Sequence, residues 1–165
     1  MKSLIWGNLF SKRNKKNLTS ALRQVMLFEN LTNKQIRKIE AIGHIRYFKE
    51  NEPVFFKGDP AYGMYIVLRG EVAIYAGNIK IQTYKPFDFF GEFAIADENY
   101  RTATAISVTS STLFYISRDE LLDLFRQDHR IAFIVYERLI KMFSKIIEKY
   151  DELLLSKAVK SIKSK

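Results

Sequence analysis

The apolar residues of this chain change period twice along its length. Residues 18–28, LTSALRQVMLF, set Leu22, Val25, Met26 and Leu27 on one broad face, which predicts a short helix. In ENLTNKQIRKIEAIG, Thr32 and Gln35 have capping-box spacing, and Ile36, Ile39 and Ile42 recur at helical intervals. A second helix is therefore predicted, with Gly43 placed to end it. From residue 45 the pattern alternates. IRYF, PVFF, GMYIVL, EVAIYA and IKIQTY are short runs rich in β-branched and aromatic residues, separated by KENEP, KGDP, Gly70, GN and KPFD. TATAISV and TLFYIS follow, divided by TSS. Strands this short and this closely spaced predict an antiparallel sandwich or barrel over about residues 45–117.

The helical period returns at Ser117. SRDELLDLF offers Ser117 or Asp119 as a cap, with Leu121, Leu122 and Phe125 on one side. The longest helix is predicted over residues 130–156. One apolar row is Val135, Leu139, Met142, Ile146, Tyr150 and Leu153; a second is Tyr136, Ile140, Phe143, Ile147 and Leu154. Together they make a wide stripe for a helix covering only its own domain. One side is expected against the barrel and the other against a second copy, as a homodimer. The alternative is a helix packed wholly within one chain.

Charge changes this picture little once it is located. The net charge is +9. Lys2, Lys12, Arg13, Lys15 and Lys16 near the start, with Lys157, Lys160, Lys163 and Lys165 near the end, account for all of it. Residues 17–155 are neutral, which is a poor footprint for nucleic acid. The reading is a basic tail over 1–17, one domain over 18–156 and a basic tail over 157–165. LIWGNLF, residues 4–10, is too short to span a membrane and precedes its positive charges, the reverse of a secretory signal. Docking on its own domain is the first reading of that stretch, and weak contact with a membrane surface through Trp6 and Phe10 is the second. The chain has no cysteine, in keeping with a cytoplasmic setting. Its two histidines, His44 and His129, are too few for a metal-dependent barrel enzyme, and no nucleophile motif is present; no metal, cofactor or catalysis is expected.

The stretch FFGEFAIADENYRTATA, residues 89–105, breaks the apolar pattern with Glu92 directly after Gly91 and with Arg101 further on. GEFAIA can form one helical turn, whose free N–H groups favour an anion, and glycine permits close approach. Arg101 supplies a forked cationic donor suited to phosphate. Glu92 would repel phosphate but accept well from a sugar hydroxyl. The residues alone fit a ligand with a phosphate at one end and a ribose at the other. They fit a buried Glu–Arg ion pair equally well.

This stretch resembles the phosphate-binding cassette of the cyclic nucleotide-binding domain family, found in bacterial cAMP receptor proteins, protein kinase A regulatory subunits and cyclic-nucleotide-gated channels. The family pattern is Phe-Gly-Glu-Leu-Ala-Leu, a few variable residues, then Pro-Arg-Ala-Ala-Thr, and FGEFAIADENYRTAT is similar to it without a gap. VFFKGDPAYGMYIVLRGEVAIY resembles the family's early strands, MLFENLTNKQIRKI its helical entry, and coverage is about residues 20–155. The resemblance implies an α+β fold: an antiparallel β-roll (double-stranded β-helix, jelly-roll-like) flanked by N-terminal helices and a long C-terminal helix. It implies that Glu92 accepts the ribose 2′-hydroxyl and that Arg101 pairs with the cyclic phosphate. Backbone groups of Phe90, Gly91, Glu92, Phe93 and Ala94, and near Thr102 and Ala103, would complete the cradle. Phe143, Ile146, Ile147 and Tyr150 would lie near the base as a lid that packs without base-specific hydrogen bonds. Two positions depart from the pattern. Tyr100 stands for the usual proline, and Phe87 for a glycine, which implies a differently shaped turn if that glycine has positive φ in relatives.

The function implied is a non-enzymatic sensor of cAMP or cGMP, with the long helix closing over the ligand to change contacts with an effector protein. Two other readings stand beside it. One is an interaction or dimerisation module whose roll binds no nucleotide. The other is a transcription regulator without its own DNA-binding domain: such relatives carry a helix-turn-helix after the long helix, whereas this chain ends at Lys165, so direct DNA binding is not expected.

Overall fold

The computed structural model describes residues 18–96 and 100–163, and the side chains of these except at 153 and 156–163. The tail of 1–17 with its LIWGNLF segment lies outside the described residues. Two four-stranded antiparallel sheets form the body. The first has the order β1 (His44–Phe48), β8 (Ser111–Ser117), β3 (Gly63–Arg69), β6 (Phe89–Phe90). The second has the order β2 (Pro53–Phe55), β7 (Thr104–Ser107), β4 (Val72–Ala76), β5 (Ile79–Tyr84). Helix α1 (residues 18–22) and α2 (Asn33–Ile42) precede the strands, α3 (Phe93–Ala96) follows β6, and α4 (Arg118–Gln127) and α5 (His129–Lys163) end the described chain. This is the expected α+β β-roll with helices at both ends.

The first sheet is apolar on both faces because both are covered. Met64, Ile66, Phe89, Phe114 and Ile116 point to the helices and join Leu22, Phe28, Ile36, Ile39, Leu121, Phe125, Ile131 and Val135 in one core. Val67, Phe90 and Leu113 point the other way, into the roll, where they meet Val72 and Ala105 from the second sheet. Period-two alternation therefore divides adjacent residues between two cores, and Phe89–Phe90 is its shortest instance.

Local signals explain most boundaries. Thr32 accepts from the Gln35 N–H at 3.3 Å, and the Gln35 side chain accepts from the Thr32 N–H at 3.0 Å, which completes the capping box of α2. Ser117 caps α4 by accepting from the Glu120 N–H. Two expectations, on residues 18–28 and on the end of the last helix, are corrected. Residues 18–28 are not one helix: α1 stops at residue 22 and Met26–Phe28 is a separate 3-10 turn, because buried Leu22, Val25, Leu27 and Phe28 cannot share one α-helical face. Gly43 ends α2 as expected, with extended backbone, and the Phe114 ring requires a glycine there: a Cβ would lie 2.0 Å from that ring. Helix α5 runs on to Lys163 instead of ending near 156, because KAVKSIK contains no helix breaker. Phe87 stands in the left-handed region. It holds φ +77°, secured by its N–H to the Val67 carbonyl at 2.8 Å and by the Val67 N–H to the Asp88 carbonyl at 2.9 Å.

Candidate functional site

The cassette lies where β6 leaves the roll. Gly91 has φ +75°, a conformation that favours glycine. A Cβ at this position would also sit 2.6 Å from a terminal guanidinium nitrogen of Arg101. The chain then turns into α3, closed by the Ala94 N–H to the Gly91 carbonyl (3.2 Å) and the Ile95 N–H to the Glu92 carbonyl (2.9 Å). Ala94 and Ile95 are buried, which anchors the turn. The Ala94 amide is thus committed within the turn.

Arg101 is 7% exposed. Its Nη2 donates to the Gly63 carbonyl at 2.7 Å and its Nη1 to the Gly91 carbonyl at 3.3 Å. Its Nε–H is buried without a hydrogen-bond partner among the described residues. The guanidinium carbon lies 4.2 Å from the centre of the Phe55 ring and 5.7 Å from that of Tyr65. The main chain at this point is pinned by the KGDP turn: the Arg101 N–H donates to the Asp59 carbonyl at 2.8 Å, and the Gly58 N–H to the Arg101 carbonyl at 2.9 Å. Pro60 and Tyr100 form an isolated bridge beside it. Burial lowers the Arg101 pKa, opposed mainly by Tyr65, then by Tyr115, Asp59 and Glu92. A guanidinium remains cationic throughout.

Glu92 is 9% exposed. Burial raises its pKa above the ordinary value, against the effects of its own backbone N–H and of Arg101. Among the described residues no ion pair joins Glu92 to Arg101. The buried Glu–Arg pair that the sequence left open is therefore not formed; the arginine is held by carbonyls instead. Tyr84 lies close enough to feel Glu92 and Asp88, but burial is the main reason its phenol is pushed up to about 12.

The other expected residues divide. Phe90 is buried in the roll, stacked on Tyr65 at 5.4 Å. Phe93 projects outward and stacks on Phe143 of α5 at 5.3 Å. Thr102 is exposed and Ala103 half-buried in the bend leading into β7. Ile146, Ile147 and Tyr150 are exposed further along α5, and Phe143 is the expected lid residue brought to the cassette. Sequence reading missed Phe55, Asp59 and Gly63 as partners of Arg101. KGDP was legible as a turn, but not as the turn that receives the arginine. His44 lies 3.4 Å from Glu120, and His129 stands at the start of α5, so the two histidines share no site.

The roll thus sets a buried arginine beside a glycine turn and a buried carboxylate, the arrangement of a domain class with a small-ligand site in its roll. Residues 45–128 match the profile of the cyclic nucleotide-binding domain, and the chain belongs to that family. It is 25% identical over 122 residues to the Cyclic AMP receptor protein of Thermus thermophilus, which takes in 68% of this chain and 56% of that one. It is 32% identical over 110 residues to the cGMP-dependent protein kinase of Plasmodium berghei, which takes in 66% of this chain and 13% of that one. The chain thus spans less than two thirds of either relative. The crystal structure of the N-terminal domain of a transcriptional regulator from Streptomyces coelicolor shares the fold at TM-score 0.71 and 21% identity, covering 79% of this chain and 94% of that one. Among the described residues no helix is long and apolar enough to cross a membrane.

Proposed function

We propose that this domain senses a cyclic nucleotide, cAMP or cGMP, and acts on other proteins through α5 rather than by catalysis. One observation carries the reading. Among the described residues Arg101 is a buried cation with no carboxylate paired to it and with an Nε–H that has no partner, beside a turn that only glycine fits easily. A buried charge of this kind is stabilised when an anion arrives. A cyclic phosphate supplies that anion, assisted by backbone groups from Phe90 to Phe93 and near Thr102 and Ala103.

The ribose 2′-hydroxyl donates to Glu92. Such a bond favours the charged carboxylate that burial disfavours, so the ligand relieves a cost the unliganded fold carries. The base then lies toward α5, where Phe143, Ile146, Ile147 and Tyr150 cover it by packing. The Phe93–Phe143 stack supports this coupling, because it already joins the cassette to the helix. Closure of α5 changes what its outer face offers to a partner. Thr102 is the polar side chain at the phosphate end and serves either nucleotide. The names of the two relatives divide in the same way, one for cyclic AMP and one for cGMP.

Calorimetric titration with cAMP and with cGMP tests the reading. Each charge-assisted hydrogen bond contributes about 1.5–3 kcal/mol, so Arg101→Ala is expected to weaken binding about ten- to a hundredfold. Undiminished affinity in that variant would remove Arg101 from the site, and no heat from the folded parent protein would end the sensor reading.

A second reading has its own observation. Apolar side chains stay exposed along α5, which favours a module that associates through that helix whether or not nucleotide is bound.

A further inference from the structure

We propose that Phe55 is a positioning residue for Arg101, its ring face standing where an acidic side chain would otherwise hold the cation. The contact rests on geometry; its consequence for affinity rests on the nucleotide-binding reading above.

Arg101 is buried, yet among the described residues its terminal nitrogens donate only to the Gly63 and Gly91 carbonyls. The acidic residue fixed beside it by main-chain bonds is Asp59, and that carboxylate is occupied: it accepts from the Phe56 N–H at 2.7 Å. The remaining face of the guanidinium lies over Phe55, with 4.2 Å between the guanidinium carbon and the ring centre. This is well inside the range for attraction between a cation and the negative face of an aromatic ring. The backbone aims Phe55 there. In the β2–β7 ladder Pro53 pairs with Ile106 and Phe55 with Ala105, so Val54 is an extra residue in a bulge. Bulges re-aim side chains next to functional sites. Phe55 is in turn braced by Tyr65 at 6.0 Å and Phe90 at 5.9 Å.

The chemical consequence separates a ring from a carboxylate. A carboxylate would orient the guanidinium and also neutralise it. A ring orients it and leaves its full charge for an incoming phosphate. Phe55 thereby tunes anion affinity without touching the anion.

The test places difluorophenylalanine or pentafluorophenylalanine at position 55 of the full chain. Fluorination withdraws density from the ring face while a ring remains in place to fill the site. Each form is made with Arg101 and with Arg101→Met; Arg101→Gln replaces the latter if it does not unfold cooperatively. Urea unfolding without nucleotide is the first readout. Stability is expected to fall along the series with Arg101 present and to stay level without it. Equal slopes in the two backgrounds overturn the contact. Titration with cAMP and cGMP is the second readout, with an expected loss of about two- to thirtyfold across the series. Graded stability with constant affinity overturns the positioning role. If the unmodified protein binds neither nucleotide, the sensor reading and the positioning role fall together, and the unfolding series still decides the contact.

Discussion

The ring of Phe93 lies against that of Phe143, with centroids 5.3 Å apart and planes inclined by 26°. One belongs to the helical turn of the cassette and the other to α5, so the stack joins the turn to the helix. Phe93 is otherwise largely exposed, and its position gains little from the core. An aromatic pair contributes about 0.5–1.5 kcal/mol beyond burial. Phe143→Ala is therefore expected to weaken nucleotide binding about two- to tenfold while abolishing the response of α5. Hydrogen exchange reads the difference. Nucleotide should slow exchange beyond residue 143 in the parent and not in the variant; equal slowing in both would take the stack out of the switch.

Gly91 is held to glycine by two constraints. Its φ of +75° costs an ordinary side chain about 1–2 kcal/mol, and a Cβ would press on Arg101 at 2.6 Å. Gly91→Ala is expected to lower stability by at least that amount and to displace the guanidinium. Urea unfolding gives the first effect and calorimetry the second. Gly77 is the control. It has φ +57° but open space around it, so Gly77→Ala should lower stability similarly and leave nucleotide affinity unchanged.

Glu92 gives the pH dependence its sign. Its folded-state pKa is raised, chiefly by burial. The associated stability is fully present below the ordinary value of 4.5 and is lost as pH rises through the folded pKa. Above the folded pKa the unliganded protein therefore carries a buried carboxylate at a cost. Glu92→Gln is expected to raise the melting temperature at pH 7, to confer progressively less advantage as pH falls below the folded pKa, and to weaken nucleotide binding throughout. A variant less stable than the parent at pH 7 would mean that Glu92 is held by bonds stronger than its desolvation.

How legible was this in the chain? Strands with strict alternation were legible because each is fixed by which of two cores a side chain enters; Met64, Tyr65, Ile66 and Val67 divide in turn. The cassette was legible as a resemblance, in the ungapped spacing of Gly91, Glu92 and Arg101, whereas those residues alone left a Glu–Arg ion pair equally open. Long-range contacts were not. Nothing near Gly43 announces the Phe114 ring that requires it, and nothing in VFFKGDP announces that Phe55 and Asp59 meet an arginine beyond β6. Phe87 misled for a related reason. Side-chain type argues against positive φ, but backbone bonds to Val67 on a neighbouring strand override it.

The outer face of α5 is expected to pair with a second copy. Phe133, Tyr136, Ile140, Phe143, Ile147, Tyr150 and Leu154 recur at alternating steps of three and four, the heptad seam of a coiled coil. All but Phe143 are exposed, Ile140 and Ile147 at 63% and 60%. Lysine keeps helix propensity while removing the apolar knob, so Ile140→Lys with Ile147→Lys should give a folded monomer. Sedimentation equilibrium should then find twice the chain mass of 19.3 kDa for the parent and the single mass for the variant. A monomeric parent at tens of micromolar would remove the seam as an interface. Phe143 belongs both to this seam and to the cassette stack, which makes a stronger demand. If nucleotide moves Phe143, it must change the dimerisation constant, and dimerisation must change nucleotide affinity by the same factor for each site. Titrating nucleotide above and below the dimerisation midpoint measures that factor, and a value of one would mean that seam and cassette act independently.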